Sequence, residues 1–256
     1  MTPIAVHKIN LCSQGIALKA LFSGYLTVVA IGYIMAMVQI QFTHGMADGK
    51  IGLSVDDIVY SYYGKRSGSV IETKLNGSMK LMTSEQNRLK IINWVHKGAN
   101  EKAFYDTGIR EIMNNSCIKC HNEATNLPIP DFTIFENVAA RAKTDTGASF
   151  SSLARVSHIH LFGIAFIFMF VGLIFSLAAG VPKYLKATVI VMPYVFLVLD
   201  ITSWWLTKLN PNFAWLTIIG GSMMGLSFIF MWVVSMYEMW VMPRIHSDDR
   251  DALQDE

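Results

Sequence analysis

The stretch VSHIHLFGIAFIFMFVGLIFSLAAGVP, Val156 to Pro182, contains no Asp, Glu, Lys or Arg and is dominated by Phe162, Phe166, Phe168, Phe170 and Phe175. A helix rises about 1.5 Å per residue, so roughly 20 apolar residues cross the roughly 30 Å hydrocarbon core of a bilayer. This run is long enough, and three others join it. Ala20 to Ala47 is also free of formal charge, Ala187 to Thr207 carries only Asp200, and Leu209 to Tyr237 carries none before Glu238. With 52% hydrophobic and only 16% charged residues, the 256-residue chain reads as an all-α, four-helix transmembrane protein and not as a water-soluble globule.

Charge decides partners and orientation. Lys plus Arg is 21 and Asp plus Glu is 19, a net charge of +2 with no long basic run, which excludes nucleic acid as a partner and leaves the lipid bilayer as the first one. Lys and Arg accumulate in short cytoplasmic segments. Lys8 and Lys19 precede the first span, Lys183 and Lys186 lie between the second and third, and Arg244 and Arg250 follow the fourth, whereas Lys208 to Asn212 on the other side holds one Lys. Both termini are therefore expected in the cytoplasm of a bacterium, with the chain in its inner membrane. Trp204, Trp205 and Trp215 on the outer side and Trp240 at the inner end fit interfacial belts. The first span reads as an uncleaved anchor, since its apolar run exceeds a signal peptide's and only a weak cleavage site near Met46 and Ala47 follows it.

The implied organisation is 1–41 for the cytoplasmic N-terminus and first span, 42–155 for a periplasmic domain, 156–242 for three further spans, and 243–256 for an acidic tail, disordered from Asp248 to Glu256. The segment Phe42 to Arg155 has 14 basic and 12 acidic residues, so it faces water. Ser54 before Val55, Asp56 and Asp57 marks a helix start, with Gly64 as the stop. Thr83, Ser84 and Glu85 open a second helix, with Leu89, Ile92 and Val95 on one face before Gly98. A third runs from near Asn100 through Phe104, Ile109 and Ile112 towards Cys117.

Cys117, Ile118, Lys119, Cys120 and His121 spell C-x-x-C-H, the attachment sequence for c-type haem. On one turn, two thiols reach the two porphyrin vinyl groups and the adjacent imidazole ligates the iron. Two other chemistries remain open for the pair: a thiol redox couple, which in thioredoxin-like folds follows a strand, and half of a zinc site, which needs two more ligands. Cys12 stands alone as a buried small residue. In Cys117, Cys120 and His121 the chain resembles the c-type cytochromes, and the helix ahead of Cys117 and the Asn126-Leu127-Pro128 stretch extend the resemblance. It implies one covalent haem c held by Cys117 and Cys120, with His121 as proximal ligand. The chain departs from the common single-domain pattern, because no Met lies between His121 and the second span. The distal ligand is then sought among His158, His160, His96, His44, Met79 and Met82.

Ser157-His158-Ile159-His160 has three readings: interfacial imidazoles facing water, haem ligation, or hydrogen bonding at a quinol pocket. Asp200 is either a carboxylate that snorkels or pairs with Ser203 or Thr202, or a proton relay, and Asp200 and His160 are each candidate catalytic residues. Glu238 reads as interfacial. Gly221 and Gly225 form a G-x-x-x-G packing face, and the fourth-span methionines Met223, Met224, Met231, Met236 and Met239 read as packing surface. The expected function is electron transfer by a membrane-bound monohaem cytochrome, a subunit of a respiratory or oxidase complex more than a stand-alone enzyme. Its partners would be membrane redox subunits, quinol and a soluble periplasmic carrier. A quinol-oxidising reductase subunit and a haem-based gas or redox sensor are the alternatives.

Overall fold

The computed structural model describes residues 10–242 except 46, 49, 51 and 128. Lys8, Met46, Pro128, Arg244, Arg250 and the tail Asp248 to Glu256 lie outside the described residues. Among those described, regular structure is entirely helical, with one isolated antiparallel bridge between Ser69 and Thr144. The helices are α1 Ile16–Thr43, α2 Val55–Tyr62, α3 Val70–Asn76, α4 Glu85–His96, α5 Glu101–Asp106, α6 Ile109–Ser116, α7 Phe135–Arg141, α8 Phe150–Ser176, α9 Lys183–Leu209 and α10 Ala214–Trp240.

Four of them, α1, α8, α9 and α10, are long and apolar enough to cross a membrane. All four extend past a charge that bounded the expected span, α1 past Lys19, α8 past Arg155, α9 past Lys186 and Lys208, and α10 past Glu238. Lys19, inside α1, is buried and its Nζ donates to the Cys12 carbonyl at 2.8 Å. Lys186 in α9 donates to the carbonyls of Ser176 (3.1 Å) and Ala178, and Lys208 donates to that of Thr146 at 2.6 Å. A lysine limits the hydrocarbon-buried length, but its long stem lets the helix itself continue to where the ammonium finds an acceptor.

The chain forms two compact units. The first comprises residues 1–37, 153–204 and 215–256. Its helices are joined by aromatic side chains reaching backbone and hydroxyl groups: Tyr25 Oη donates to the Ile167 carbonyl at 3.3 Å, Trp232 Nε1 to that of Leu26 at 3.2 Å, and Trp240 Nε1 to Ser23 Oγ at 2.7 Å. In a bilayer these groups have no water to turn to, so such partners decide which helix faces meet. Tyr33 stacks on Phe228 with centroids 5.5 Å apart. At Gly220 the α9 and α10 backbones approach so closely that a Cβ would lie 2.8 Å from Asp200 Cβ.

The second unit comprises residues 38–152 and 205–214. Its short helices are started by side-chain caps. Ser54 and Asp57 form a reciprocal capping box on α2, and Ser69, Ser84 and Asn100 cap α3, α4 and α5. Ile71, Leu75, Ile91, Trp94, Phe104, Ile109, Ile112, Met113 and Val138 form its buried core. The rings of Trp94 and Phe135 lie 5.5 and 5.2 Å from that of Phe104. The helix expected from Asn100 to Cys117 is two, because Gly108 turns left-handed at φ +79° and α6 restarts at Ile109. Helices α3 and α7 were not expected from the sequence. Beyond α7, Asp145 and Ala148 donate backbone N–H groups to Gly68 and Ser61 at 2.9 and 2.8 Å, folding this last loop onto the region after α2. Gly64 and Gly147 meet there at positive φ, where a Cβ on Gly64 would lie 2.5 Å from the Asp145 carbonyl.

Candidate functional site

The Cys117 to His121 segment continues α6 as a tight turn. Cys117 caps the helix by donating its N–H to Met113 at 2.8 Å, and the N–H groups of Cys120 and His121 return to the Cys117 carbonyl at 3.2 and 3.0 Å. Cys117 packs against the aromatic core, while Cys120 is exposed. Burial pushes the Cys117 thiol above its ordinary value. Both sulfurs are free thiols.

His121 is fixed from two directions. Its Nδ1–H donates to the Pro130 carbonyl at 2.9 Å, and its ring stacks on Phe132 with centroids 4.3 Å apart and planes 4° from parallel. The Phe132 N–H returns to the His121 carbonyl at 2.9 Å, closing the loop between them. Asn126 turns the chain inside that loop at φ +51°, and Thr133 donates its N–H and hydroxyl to Asp131. Those two bonds hold the Asp131 carboxyl below its usual range.

The expected covalent haem c is corrected at this point. Among the described residues, no group of three or more His, Cys, Asp or Glu side chains comes together that could hold a metal ion, so His121 is not part of an assembled ligand set. The six candidate distal ligands are occupied or placed otherwise. His44 Nδ1 donates to Ser61 Oγ at 2.7 Å, the Ser61 hydroxyl passing its own hydrogen to the Asp57 carbonyl. His96 pairs with Glu72 at 3.0 Å. His158 sits edge-on to Phe162, and His160 donates from Nδ1 to the Val156 carbonyl at 2.9 Å. Met79 and Met82 bound a single exposed 3-10 turn, Lys80–Met82, that precedes α4. The ligand roles read from the sequence for these residues and for His121 lapse with the haem.

Asp200 and His160 come together only through a third residue. The carboxylate of Asp200 is buried and accepts from Trp204 Nε1 at 3.2 Å, and the His160 ring meets the Trp204 indole edge-on at 5.3 Å. Ser203 supports this place from beside it, donating to the Asp200 carbonyl and sharing a 2.6 Å bond with Thr217 on α10. Glu238, expected at the membrane boundary, is held by a loop near the end of α10. It is 2% exposed, and its two oxygens accept the backbone N–H groups of Ala179 and Gly180 at 2.7 Å each. Which loop folds back over a carboxylate near a helix end is not displayed by the sequence. The Pro130 and Phe132 partners of His121 were likewise missed, although their position shortly after the motif was the available signal.

Residues 139–246 match a family model described as a transmembrane helical domain (Aq_1264_TM). The match takes in α8, α9 and α10 but not the Cys117 to His121 turn, and it covers less than half of the chain. No curated protein and no solved structure matches the chain. With four helices able to span a bilayer, three of them inside that match, the chain is a multi-pass membrane protein in a lipid environment.

Proposed function

We propose that this chain is an integral-membrane electron-transfer subunit of a bacterial inner membrane, with Cys117 and Cys120 as a two-electron dithiol–disulfide couple on its periplasmic side. The observation that carries the reading is the pair itself: two free thiols one turn apart, one half-buried and one exposed. That spacing lies within the reach of a disulfide. The orientation rests on Lys183 and Lys186 in the first turn of α9, beside the short connection from α8, which the positive-inside bias assigns to the cytoplasm, leaving the unit around 42–155 outside.

The step balances without a metal. The Cys120 thiol, the accessible one, loses its proton and attacks a disulfide of a partner protein, and one partner sulfur leaves as a thiolate that takes up a proton. Cys117 then loses its proton and displaces the second partner sulfur from the mixed disulfide, closing the Cys117–Cys120 bond. The partner gains two electrons and two protons, and this chain loses the same. Cys117 packs against the core and Cys120 is exposed, so Cys120 is the thiol a partner meets first and Cys117 the one left to close the bond.

Cys12 makes the test internal. In intact cells reduced with a permeant thiol reagent, a membrane-impermeant maleimide is expected to label Cys120 and to leave Cys12 unlabelled until lysis. Labelling of Cys12 from outside, or protection of Cys120, would contradict the orientation and the accessible thiol on which the reading depends.

A further inference from the structure

In the unit formed by the spans, an open groove of about 500 Å³ lies between the start of α9 and the end of α10. That volume falls within the range of about 300–1,000 Å³ common to ligand sites. Its walls are apolar, with Leu185 from α9, Phe230, Val233, Val234 and Tyr237 from α10, and Pro182 from the loop between α8 and α9. Leu185, Val233 and Tyr237 are about half exposed, so the groove is open to whatever surrounds the helices. At this end of the helices, that is the bilayer near one of its faces.

The polar end of the groove is built by the same loop. Glu238 is the one acidic residue of the lining, and both of its oxygens are already bonded to the N–H groups of Ala179 and Gly180. Gly180 is the residue that fits here, since a Cβ would lie 3.0 Å from Glu238 Oε1. Two ammonium groups flank the lining residues. Lys186 is held at the loop by the Ser176 and Ala178 carbonyls, and Lys183 is exposed, with its Nζ 4.9 Å from the Tyr184 ring centre. Among the described residues, two lysines adjoin the lining in sequence against one carboxylate within it, with Lys183 next to Pro182 and Lys186 next to Leu185. Basic sites between transmembrane helices are where anionic lipid headgroups settle.

We propose that this groove is a binding site for one anionic phospholipid, an acyl chain lying along Phe230, Val233 and Val234 and the phosphate resting against Lys183. Glu238 acts as the clamp that keeps the loop in the shape the lipid needs. The site does not depend on the thiol couple, and the two stand or fall separately.

The test uses the full-length protein in detergent, offered equal amounts of phosphatidylglycerol and phosphatidylcholine with matched chains, and native mass spectrometry to count the lipids retained. One phosphatidylglycerol per chain should be kept in preference to phosphatidylcholine. Lys183→Gln should lower that preference about fivefold, the amount one basic side chain contributes at an anionic lipid surface. Val234→Trp, which fills the groove, should reduce retention of both lipids, and Lys208→Gln at the other end of α9 should leave the preference unchanged. Equal retention of the two lipids by the unaltered protein would overturn the site. An unchanged preference in Lys183→Gln, with helical circular dichroism intact, would overturn it as well.

Discussion

The two units of this molecule solve the same problem, satisfying polar groups, by opposite means. In the unit around 38–152, polar side chains close helix ends locally: Ser54, Ser69, Ser84 and Asn100 each accept a backbone N–H three residues ahead. In the unit formed by the spans, the bonds join segments far apart in sequence, from Trp240 to Ser23 and from Trp232 to Leu26 between helices, and from the Ala179 N–H of a loop to Glu238. Water backs up the first kind of bond and is missing for the second. A lost cap therefore weakens one helix, whereas a lost interhelical partner affects the fit of the whole bundle.

The largest effect is expected in the core of the unit around 38–152. Phe104 is 1% exposed and lies between Trp94 and Phe135, so Phe104→Ala should cost about 3–5 kcal/mol. Limited proteolysis should then cleave between residues 50 and 150 while the span helices stay protected. Cleavage spread evenly over the chain would show that the two units do not unfold separately.

Gly220→Val probes the other side of the comparison. Its Cβ would lie 2.8 Å from Asp200 Cβ and 3.1 Å from Asp200 Cα, neither of which can swing away, and overpacking of this kind costs about 1–3 kcal/mol. Thermal denaturation in detergent should lose the cooperative transition of the span helices and leave the proteolytic pattern of the 50–150 region unchanged.

The smallest expected effect is a pH dependence at His44. Burial lowers its pKa first, Lys74 lowers it further, and Asp57 opposes them. The folded state therefore prefers the neutral ring that the unfolded chain would protonate. Stability from this residue is complete above the unfolded value near 6.5 and is lost as pH falls through the lower folded value. The unit around 38–152 should melt at a lower temperature at pH 5 than at pH 7.5, and His44→Asn should remove most of that difference.

What the sequence made legible follows the same division. The four spans could be read because about 20 uncharged residues have few other uses, and the starts at Ser54, Ser84 and Asn100 could be read because a cap is a local signal. The break at Gly108 was misread, since a helical pattern tolerates a glycine until the backbone shows its positive φ. Helices α3 and α7 are seven residues each, too short for an apolar period to stand out. Glu238 and the His121 loop depend on which backbone folds back upon them, and residue order does not display that. The C-x-x-C-H spelling carried the haem expectation on five residues, and spelling alone could not report whether a ligand set assembles around His121.

Under the proposed function, Cys117 and Cys120 act as one redox couple. A strong oxidant keeps its reduced form stable by a lowered thiol pKa, and burial moves Cys117 the other way. The direct measurement is a glutathione redox titration of the purified full-length protein, with differential alkylation read by intact mass. Both cysteines should change together in one two-electron transition below about −200 mV, with Cys12 unaffected. Independent titration of the two thiols, or a mass showing either one permanently occupied by a covalent group, would contradict the couple.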